Sequence, residues 1–392
     1  MKPLLLATVI LALLLCQQQV LAAPRNATLR GNYDNCRLRF SDEKLGHVAF
    51  LGGSITEMDG YRPLVSAWLS KQFPKTKFTF TNAGISSTCS TTGAMRLQRD
   101  VLSKGPVDLF FVEFAVNDTG DAGHGLREAM RGLEGIIRQL RRHNPQADIV
   151  VTHFVSPGMR DQIQAGQTPL AIAAHENVAE YYEVSTINLA REVATRITAG
   201  TFTWEQFGGT HPGPEGNRLC AEMIAGLFQE AWGSSLLKQT TAKPHAAPTP
   251  LDDGAYAKGR FLDPKLGQIV RGWELQAPHW ERLPGSKLAR FSKETLLCGE
   301  QPGAELTLPF DGRAVGAYLL AGPDAGVLEA SVDGAAFQTI DTYHHYSQGL
   351  HYPRTVMFAT DLAQGHHTLT LRIADETQSS GHAIRIMQFV AN

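Results

Sequence analysis

The sequence predicts two domains, an α/β domain with a parallel sheet followed by an antiparallel β-sandwich. Between His47 and about Trp232, short strands alternate with helical segments, which is typical of a parallel sheet covered by helices on both faces. Residues 238–250 are rich in Pro, Thr and Ala and have no apolar periodicity, so they predict a linker. Beyond them, alternating apolar runs separated by Asp-Gly turns indicate antiparallel strands.

Five strands are predicted in the first domain because each segment is short, apolar and rich in β-branched or aromatic residues. They are residues 47–51, 77–82, 108–114, 148–153 and 185–189. The clearest helix runs from Leu126 to Asn144, where apolar residues recur at spacings of three or four. Its other face carries Arg127, Arg131, Arg138, Arg141 and Arg142, a charge run that is typical of a solvated helix face.

The amino terminus predicts an export signal. Lys2 precedes an apolar run over residues 4–15 that is too short to span a bilayer, and Ala22 supplies a small residue before a cleavage point. Lipoprotein anchoring at Cys16 is disfavoured because Leu15 stands where a small residue is usual. We therefore expect a secreted or periplasmic protein without a stable membrane span. The expected boundaries are a signal peptide over residues 1–22, an α/β domain over 23–236, a linker over 237–256 and a sandwich over 257–392.

Composition argues against several classes of partner and cofactor. The 36 basic and 38 acidic residues give a net charge of −2 without a basic stripe, so no nucleic acid partner is expected. Removal of the signal peptide leaves Cys36, Cys89, Cys220 and Cys298, which allow three disulfide pairings. No Cys-x-x-Cys occurs, and the zincin-like start at His175 lacks its second histidine. We predict neither a metal nor a cofactor, and the sequence indicates no oligomeric state.

The candidate catalytic residues follow successive strands. Gly52-Gly53-Ser54 follows the first strand, and Gly84, Asn117 and His211 follow the second, third and fifth, so all four blocks should meet at one sheet edge. A serine hydroxyl becomes nucleophilic when a base such as His211 takes its proton. The N–H groups of Ser54 and Gly84 and the amide of Asn117 would stabilise an oxyanion. Taken alone, Ser54 also fits an ordinary helix cap.

These four blocks resemble those of the SGNH (GDSL-type) esterase superfamily, over residues 45–232. The resemblance implies a flavodoxin-like α/β/α fold and hydrolysis of lipid esters, thioesters or acetylated sugars. The whole chain resembles exported two-domain bacterial members, with a sandwich that we expect to be jelly-roll-like. We therefore expect an exported serine esterase that removes O-acetyl groups from a carbohydrate or polysaccharide. The alternatives are a lipid esterase or thioesterase using the same site, and a catalytically decayed glycan-binding protein.

One position departs from the family pattern. The superfamily usually has an aspartate three residues before the histidine, where this chain has Gly208. A main-chain carbonyl near Gly208 is our first candidate for the group that orients His211. Glu205 is the second candidate and Asp118 is the third.

An aromatic segment of the second domain is a candidate for carbohydrate binding. Aromatic faces with hydrogen-bonding tips suit sugar rings, and the alternatives are packing within the sandwich or lining of the active-site cleft. The candidate residues are Tyr343, His345, Tyr346, His351 and Tyr352.

Overall fold

The computed structural model describes residues 26–233 and 240–392, so the predicted signal peptide and Cys16 lie outside the described residues. The first domain is built on a six-stranded sheet with the order β1-β6-β5-β4-β2-β3. Neighbouring strands run parallel except for the short β1, which pairs with β6 in the antiparallel sense. The strands are β1 (Ala27–Thr28), β2 (Leu45–Gly52), β3 (Lys77–Gly84), β4 (Leu109–Glu113), β5 (Asp148–Thr152) and β6 (Ser185–Ile187).

Helices cover both faces of this sheet. One hydrophobic cluster joins the sheet to α4, α6 and α8, and a second joins its other face to α3 and α11. The helices of residues 26–233 are α1 (Asp34–Ser41), α2 (Ser54–Glu57), α3 (Tyr61–Gln72), α4 (Ser90–Asp100), α5 (Ala115–Gly120), α6 (Leu126–His143), α7 (Pro157–Gln164), α8 (Leu170–Tyr181), α9 (Leu189–Thr198), α10 (Trp204–Phe207) and α11 (Pro214–Gly233).

The strand order confirms the predicted flavodoxin-like α/β/α domain. Numbered among themselves, the five parallel strands have the order 2-1-3-4-5, which places the topological switch point between β2 and β4. Gly52 lies opposite Gly84 on one side and Glu113 on the other, so three strands end at the same level. The loops that follow them therefore meet at one edge.

The second domain consists of two antiparallel sheets packed face to face, as predicted for a sandwich. One sheet has the order β15-β12-β17-β10-β9, with β7 also pairing with β17, and the other has the order β14-β13-β16-β11-β8. Apolar side chains of both sheets form a common core. The strands are β7 (Arg260–Leu262), β8 (Gln268–Arg271), β9 (Trp273–Gln276), β10 (Leu296–Gly299), β11 (Glu305–Gly312), β12 (Val315–Ala321), β13 (Val327–Val332), β14 (Gln338–Asp341), β15 (Tyr352–Ala359), β16 (Gly365–Ile373) and β17 (Ile384–Ala391).

The two domains share a continuous apolar core. The cluster that contains Ala94, Met95 and Leu97 of α4 extends into the sandwich, where it includes Tyr318 and Met387. Burial of apolar area drives this association, because water is excluded from both surfaces. The sandwich is therefore packed onto the α/β domain rather than tethered to it.

The arginine face of α6 is covered at Arg131, Arg138 and Arg141 but exposed at Arg127 and Arg142, which corrects the prediction of a solvated face in part. Arg131 is only 2% exposed and Arg141 is 7% exposed. Arg138 donates to the carbonyl of Pro248 at 2.7 Å, and Arg141 donates to the carbonyl of Ala246 at 2.9 Å. The periodicity of α6 could not reveal this, because the covering segment comes from the predicted linker more than a hundred residues later in the chain.

The sequence allowed three disulfide pairings and predicted no stable membrane span. Each of the four cysteines in the described ranges is a buried, unpaired thiol. Within these ranges, no helix combines the length and the hydrophobicity that crossing a bilayer requires.

Two buried ionisable side chains hold the turn that precedes Ser54. Glu113, which is 1% exposed, accepts hydrogen bonds from the Gly53 N–H at 3.0 Å and from the Thr56 hydroxyl at 2.7 Å. Arg96 is fully buried and donates to the carbonyls of Gly52 and Ala83 at 2.9 and 2.7 Å. The ends of β2 and β3 are thereby fixed before their loops begin.

We predict that Arg131→Met lowers the free energy of unfolding by about 3 kcal/mol, because a buried ion pair is lost and its partner carboxylates stay behind. Arg131 bonds both Asp252 of the linker and Asp361 of the sandwich. Urea unfolding measures the loss. Arg127 binds the same two carboxylates but is exposed, so Arg127→Met is the matched control and should leave stability unchanged. Equal loss in both variants would contradict the prediction.

A second prediction follows from Glu113, whose pKa is raised to about 7 by burial. The folded state then binds more protons than the unfolded state between the ordinary carboxyl pKa and about pH 7, so stability falls as pH rises through this window. Glu113→Gln keeps the acceptor oxygen but removes the ionisation. Its stability relative to wild type should rise by about 3 kcal/mol between pH 4 and pH 8.

Urea unfolding across this pH range tests the effect of Glu113→Gln. Glu222 is exposed on α11, so Glu222→Gln serves as the control and should show no such pH dependence. A Glu113→Gln difference that stays constant with pH would argue against a buried, neutral carboxyl group.

Candidate active site

Ser54 and His211 form a hydrogen-bonded pair at the carboxyl edge of the sheet. Ser54 is the first residue of α2, and His211 lies in the loop between α10 and α11. The Ser54 Oγ and His211 Nε2 atoms are 2.7 Å apart. Because the first N–H groups of a helix have no intrahelical acceptor, the Ser54 N–H remains available to a ligand. The pair therefore has the geometry of a nucleophile and its base.

The two glycines before Ser54 are required by space. Neither has a positive φ angle. A Cβ atom at Gly52 would lie 2.2 Å from Oε1 of Glu113, and one at Gly53 would lie 2.3 Å from Oδ1 of Asn117. Any side chain here would displace the group that holds the turn or the amide beside it.

Asn117 lies in α5 directly beside this turn. It is 4% exposed, and its Nδ2 donates to Oδ2 of Asp121 at 2.6 Å. An amide nitrogen carries two protons, so the second remains for a ligand. Asp121 thereby fixes the orientation of the amide.

Gly84 packs against the turn, and its N–H already has a partner. The Gly84 N–H donates to Oδ1 of Asn82 at 2.9 Å, which removes it from the set of free oxyanion donors. A Cβ atom at Gly84 would lie 2.2 Å from the backbone nitrogen of Glu57, so the glycine permits close approach of β3 to α2.

Ser87 provides a free donor in the same loop. Its backbone has φ 67°, in the left-handed region, and within the described ranges its N–H donates to no acceptor. The Tyr352 hydroxyl lies close to Ser87 and to Asp121, and Asp121 in turn accepts a bond from Asn117.

None of the three groups proposed to orient His211 forms a hydrogen bond with it. Glu205 is exposed, and Gly208 adopts φ 97° at the end of α10. Asp118 is fully buried and accepts bonds from the Ser90 N–H and from His175. Across residues 26–233 and 240–392, no group bonds Nδ1 of His211.

Asp121 is a half-buried carboxylate that holds the Asn117 amide. Burial raises the pKa of Asp121, while its bonds to Asn117 and Tyr352 and the charges of His345 and His211 oppose this rise. Asp121 therefore contacts both the Asn117 amide and the Tyr352 hydroxyl of the second domain.

The aromatic segment of the sandwich lies against this site, but only part of it is accessible. His345 is exposed and Tyr346 is 49% exposed, whereas Tyr343 packs against the sandwich core. His351 and Tyr352 are buried, and His351 packs edge-on against Trp280. The structure therefore leaves only two of the five candidates free to meet a glycan.

A neighbouring residue joins this segment to the site. His344 Nε2 lies 2.8 Å from the carbonyl oxygen of Asp121, and its ring stacks on Tyr352 with centroids 4.3 Å apart. Burial lowers the pKa of His344 to about 4, so the ring is neutral at ordinary pH. The second domain thus supports the Asp121 loop directly.

Asp118 lies behind Asn117 in a buried polar cluster. Burial raises the pKa of Asp118, but the charge and hydrogen bonds of His124 and His175 outweigh burial and lower it. For His124, burial lowers the pKa, while the charges of Asp118 and Cys89 raise it well above its usual range. These opposite shifts favour an ionised cluster.

The sequence analysis missed Glu113, Asp121, Arg96 and Ser87. Glu113 had a signal, since it is an acidic residue that ends an otherwise apolar central strand. Asp121 lies one helical turn after Asn117, a spacing at which side chains meet. Arg96 and Ser87 had no local signal, because their partners come from distant strands and from the second domain.

Known proteins resemble this chain both in family pattern and in fold. Residues 50–219 match the GDSL-like Lipase/Acylhydrolase family. A crystal structure of a two-domain esterase (CEX) active on acetylated mannans, co-crystallised with mannopentaose, is 20% identical with a TM-score of 0.73, covering 93% of this chain and 95% of that chain. Another crystal structure of a two-domain esterase (CEX) active on acetylated mannans is 20% identical with a TM-score of 0.75, covering 93% and 97%. No curated protein matches the chain.

At this level of identity the structural matches establish a shared fold, and that fold extends across both domains. The family match includes Ser54, Gly84, Asn117 and His211. Residues 50–219 therefore match the GDSL-like Lipase/Acylhydrolase family, within a two-domain fold that the chain shares with these structures.

Proposed function

We propose that the protein is an exported serine esterase that removes O-acetyl groups from a carbohydrate or polysaccharide. The observation that carries this proposal is the Ser54–His211 pair, with 2.7 Å between Oγ and Nε2. The similar two-domain esterases act on acetylated mannans, which favours an acetylated carbohydrate as substrate. Export, predicted from residues 1–22, would bring the enzyme to extracellular polymers.

The reaction follows from the positions of these groups. Ser54 Oγ attacks the acetyl carbon while its proton passes to Nε2 of His211. The resulting oxyanion accepts hydrogen bonds from the N–H groups of Ser54 and Ser87 and from Nδ2 of Asn117. His211 then protonates the departing sugar oxygen, and it subsequently activates the water that releases acetate and restores Ser54.

We infer that Asp121 stabilises the imidazolium of His211 through its charge. His211 lacks the aspartate that usually precedes it by three residues, and Nδ1 has no hydrogen-bond partner in the described ranges. A carboxylate near a protonated imidazole lowers its energy without a direct bond. This assignment replaces Glu205, Gly208 and Asp118 in our account of the base.

The accessible part of the aromatic segment supports a sugar-binding role. His345 and Tyr346 are exposed and have ring centroids 4.1 Å apart, beside the Asp121 loop. Aromatic faces with polar tips suit the mixed polarity of a pyranose ring. We propose that the sandwich lines the cleft at this point and contacts the sugar that carries the acetyl group.

The decisive experiment measures acetate release from acetylated mannan, acetylated xylan and an aryl acetate. Ser54→Ala should lose nearly all release, about 10⁴-fold or more, because the nucleophile is removed while the fold is kept. Ser66→Ala on α3 is the matched control and should retain activity, since its hydroxyl only bonds the carbonyl of Arg62. Equal residual release by wild type and Ser54→Ala would refute the proposal.

An acyl-chain series distinguishes the alternative functions. Preference for acetate over chains of eight or more carbons is expected, and the reverse preference would indicate a lipid esterase. Glycan binding without turnover would indicate a decayed enzyme.

Asp121→Asn should lower kcat about 10-fold, because the imidazolium loses a neighbouring negative charge while the side chain can still accept the bond from Asn117. Asp121→Glu keeps the charge and should recover part of this loss. The kcat values and their pH dependence on an aryl acetate measure the effect. Full activity in Asp121→Asn would show that the charge is dispensable.

A further inference from the structure

A second cluster of reactive side chains lies behind the candidate active site, on the buried side of Asn117. Cys89 precedes α4, Asp118 is in α5, and His124 lies in the loop that joins α5 to α6. Cys89 is 7% exposed, Asp118 is fully buried, and the His124 side chain is 12% exposed. The proposed esterase reaction uses none of them.

The donor atoms of these residues converge on one point. One sulfur, one oxygen and one nitrogen atom lie within 4.8 Å of one another. The His124 Nδ1 and Asp118 Oδ1 atoms are 3.4 Å apart, yet within the described ranges Nδ1 is a buried atom without a hydrogen-bond partner. The two atoms form an ion pair rather than a hydrogen bond of normal geometry, and both can face a shared third atom.

The spacing of the His124 nitrogen and the Asp118 oxygen fits a tetrahedral metal ion. Zinc binds histidine nitrogen and carboxylate oxygen at about 2.0–2.2 Å, which places two such ligands about 3.4 Å apart in a tetrahedral site. Thiolate sulfur, imidazole nitrogen and carboxylate oxygen are all ligands that zinc prefers. A fourth position remains for water, which the partial exposure of His124 allows.

Neighbouring groups orient the side chains of His124 and Asp118. His124 Nε2 lies 3.4 Å from the Thr91 hydroxyl, a contact that leaves Nδ1 as the free nitrogen for the metal. Asp118 is fixed by the Ser90 N–H at 2.8 Å and by His175 Nε2 at 2.9 Å. Second contacts of this kind orient the ligands of known metal sites.

The loop that carries His124 can make the small adjustment that metal binding requires. It lies between Gly123, which has φ 60°, and Gly125. Its fold is set by the His124 N–H, which donates to the carbonyl of Asp118 at 2.8 Å. This short, glycine-flanked turn therefore brings the His124 side chain close to the Asp118 carboxylate.

We propose that Cys89, Asp118 and His124 bind one zinc ion. The ion joins the start of α4 to α5 and to the loop after it, directly behind Asn117 and before Asp121. Cys89 is distant in the sequence from Asp118 and His124, and the three residues match no recognised zinc spacing, which is why the sequence predicted no metal.

Zinc titration of the whole protein tests this proposal. Protein that has been reduced, treated with a chelator and dialysed should take up one zinc ion per chain, measured by elemental analysis after removal of excess metal. Its Tm should rise by about 5 °C at free zinc 100-fold above Kd. Cobalt should give a thiolate charge-transfer band in the near ultraviolet.

Variants identify the ligands. Cys89→Ser should abolish the cobalt band and the bound zinc, and His124→Gln, in a partly exposed loop, should lose the zinc if Cys89→Ser does not fold. Cys298→Ser changes another buried cysteine, in the sandwich, and should retain both signals. Failure of the wild type to retain zinc, or retention by both ligand variants, would overturn the proposal.

Discussion

The site depends on the interaction between the Glu113 carboxyl group and the Gly52-Gly53 turn above it. This carboxyl group lies at the end of a central strand, where burial disfavours its charge, and two hydrogen bonds from the turn offset part of that cost. The same contact leaves no room for a side chain at Gly52. The position of Ser54 is thus determined by a polar group that never meets the substrate.

The second domain completes this arrangement from outside. The apolar cluster that includes α4 extends into the sandwich, and the linker covers Arg138 and Arg141 of α6. At the site itself, His344 holds the Asp121 carbonyl while Tyr352 lies against its carboxylate. Because Asp121 also fixes the Asn117 amide, packing between the domains is coupled to the geometry of the oxyanion donors. An isolated first domain would lack these restraints.

The Ser54–His211 pair has no hydrogen-bonded acidic neighbour within the described ranges. In a serine hydrolase that acid orients the histidine and stabilises its charged form. In this protein, we assign orientation of the ring and stabilisation of its charge to two different groups. The hydrogen bond to Ser54 orients the ring, and we assign stabilisation of its charge to Asp121 on the opposite loop. A carboxylate that acts through its charge, without a hydrogen bond, is consistent with a chain that has Gly208 at the position where the family usually has an aspartate.

The sequence by itself determined the two-domain α/β and sandwich architecture, the five parallel strands and the meeting of Ser54, Asn117 and His211 at one edge. These features follow from local periodicity and from the rule that parallel strands end at the same edge. Tertiary structure alone decided which N–H groups are free, why Gly84 is a glycine and where the arginines of α6 lie. It also decided that His351 and Tyr352 are buried and that Asp121 holds the Asn117 amide. Each of these features depends on contacts between residues that are far apart in the chain. Local sequence patterns do not predict such contacts.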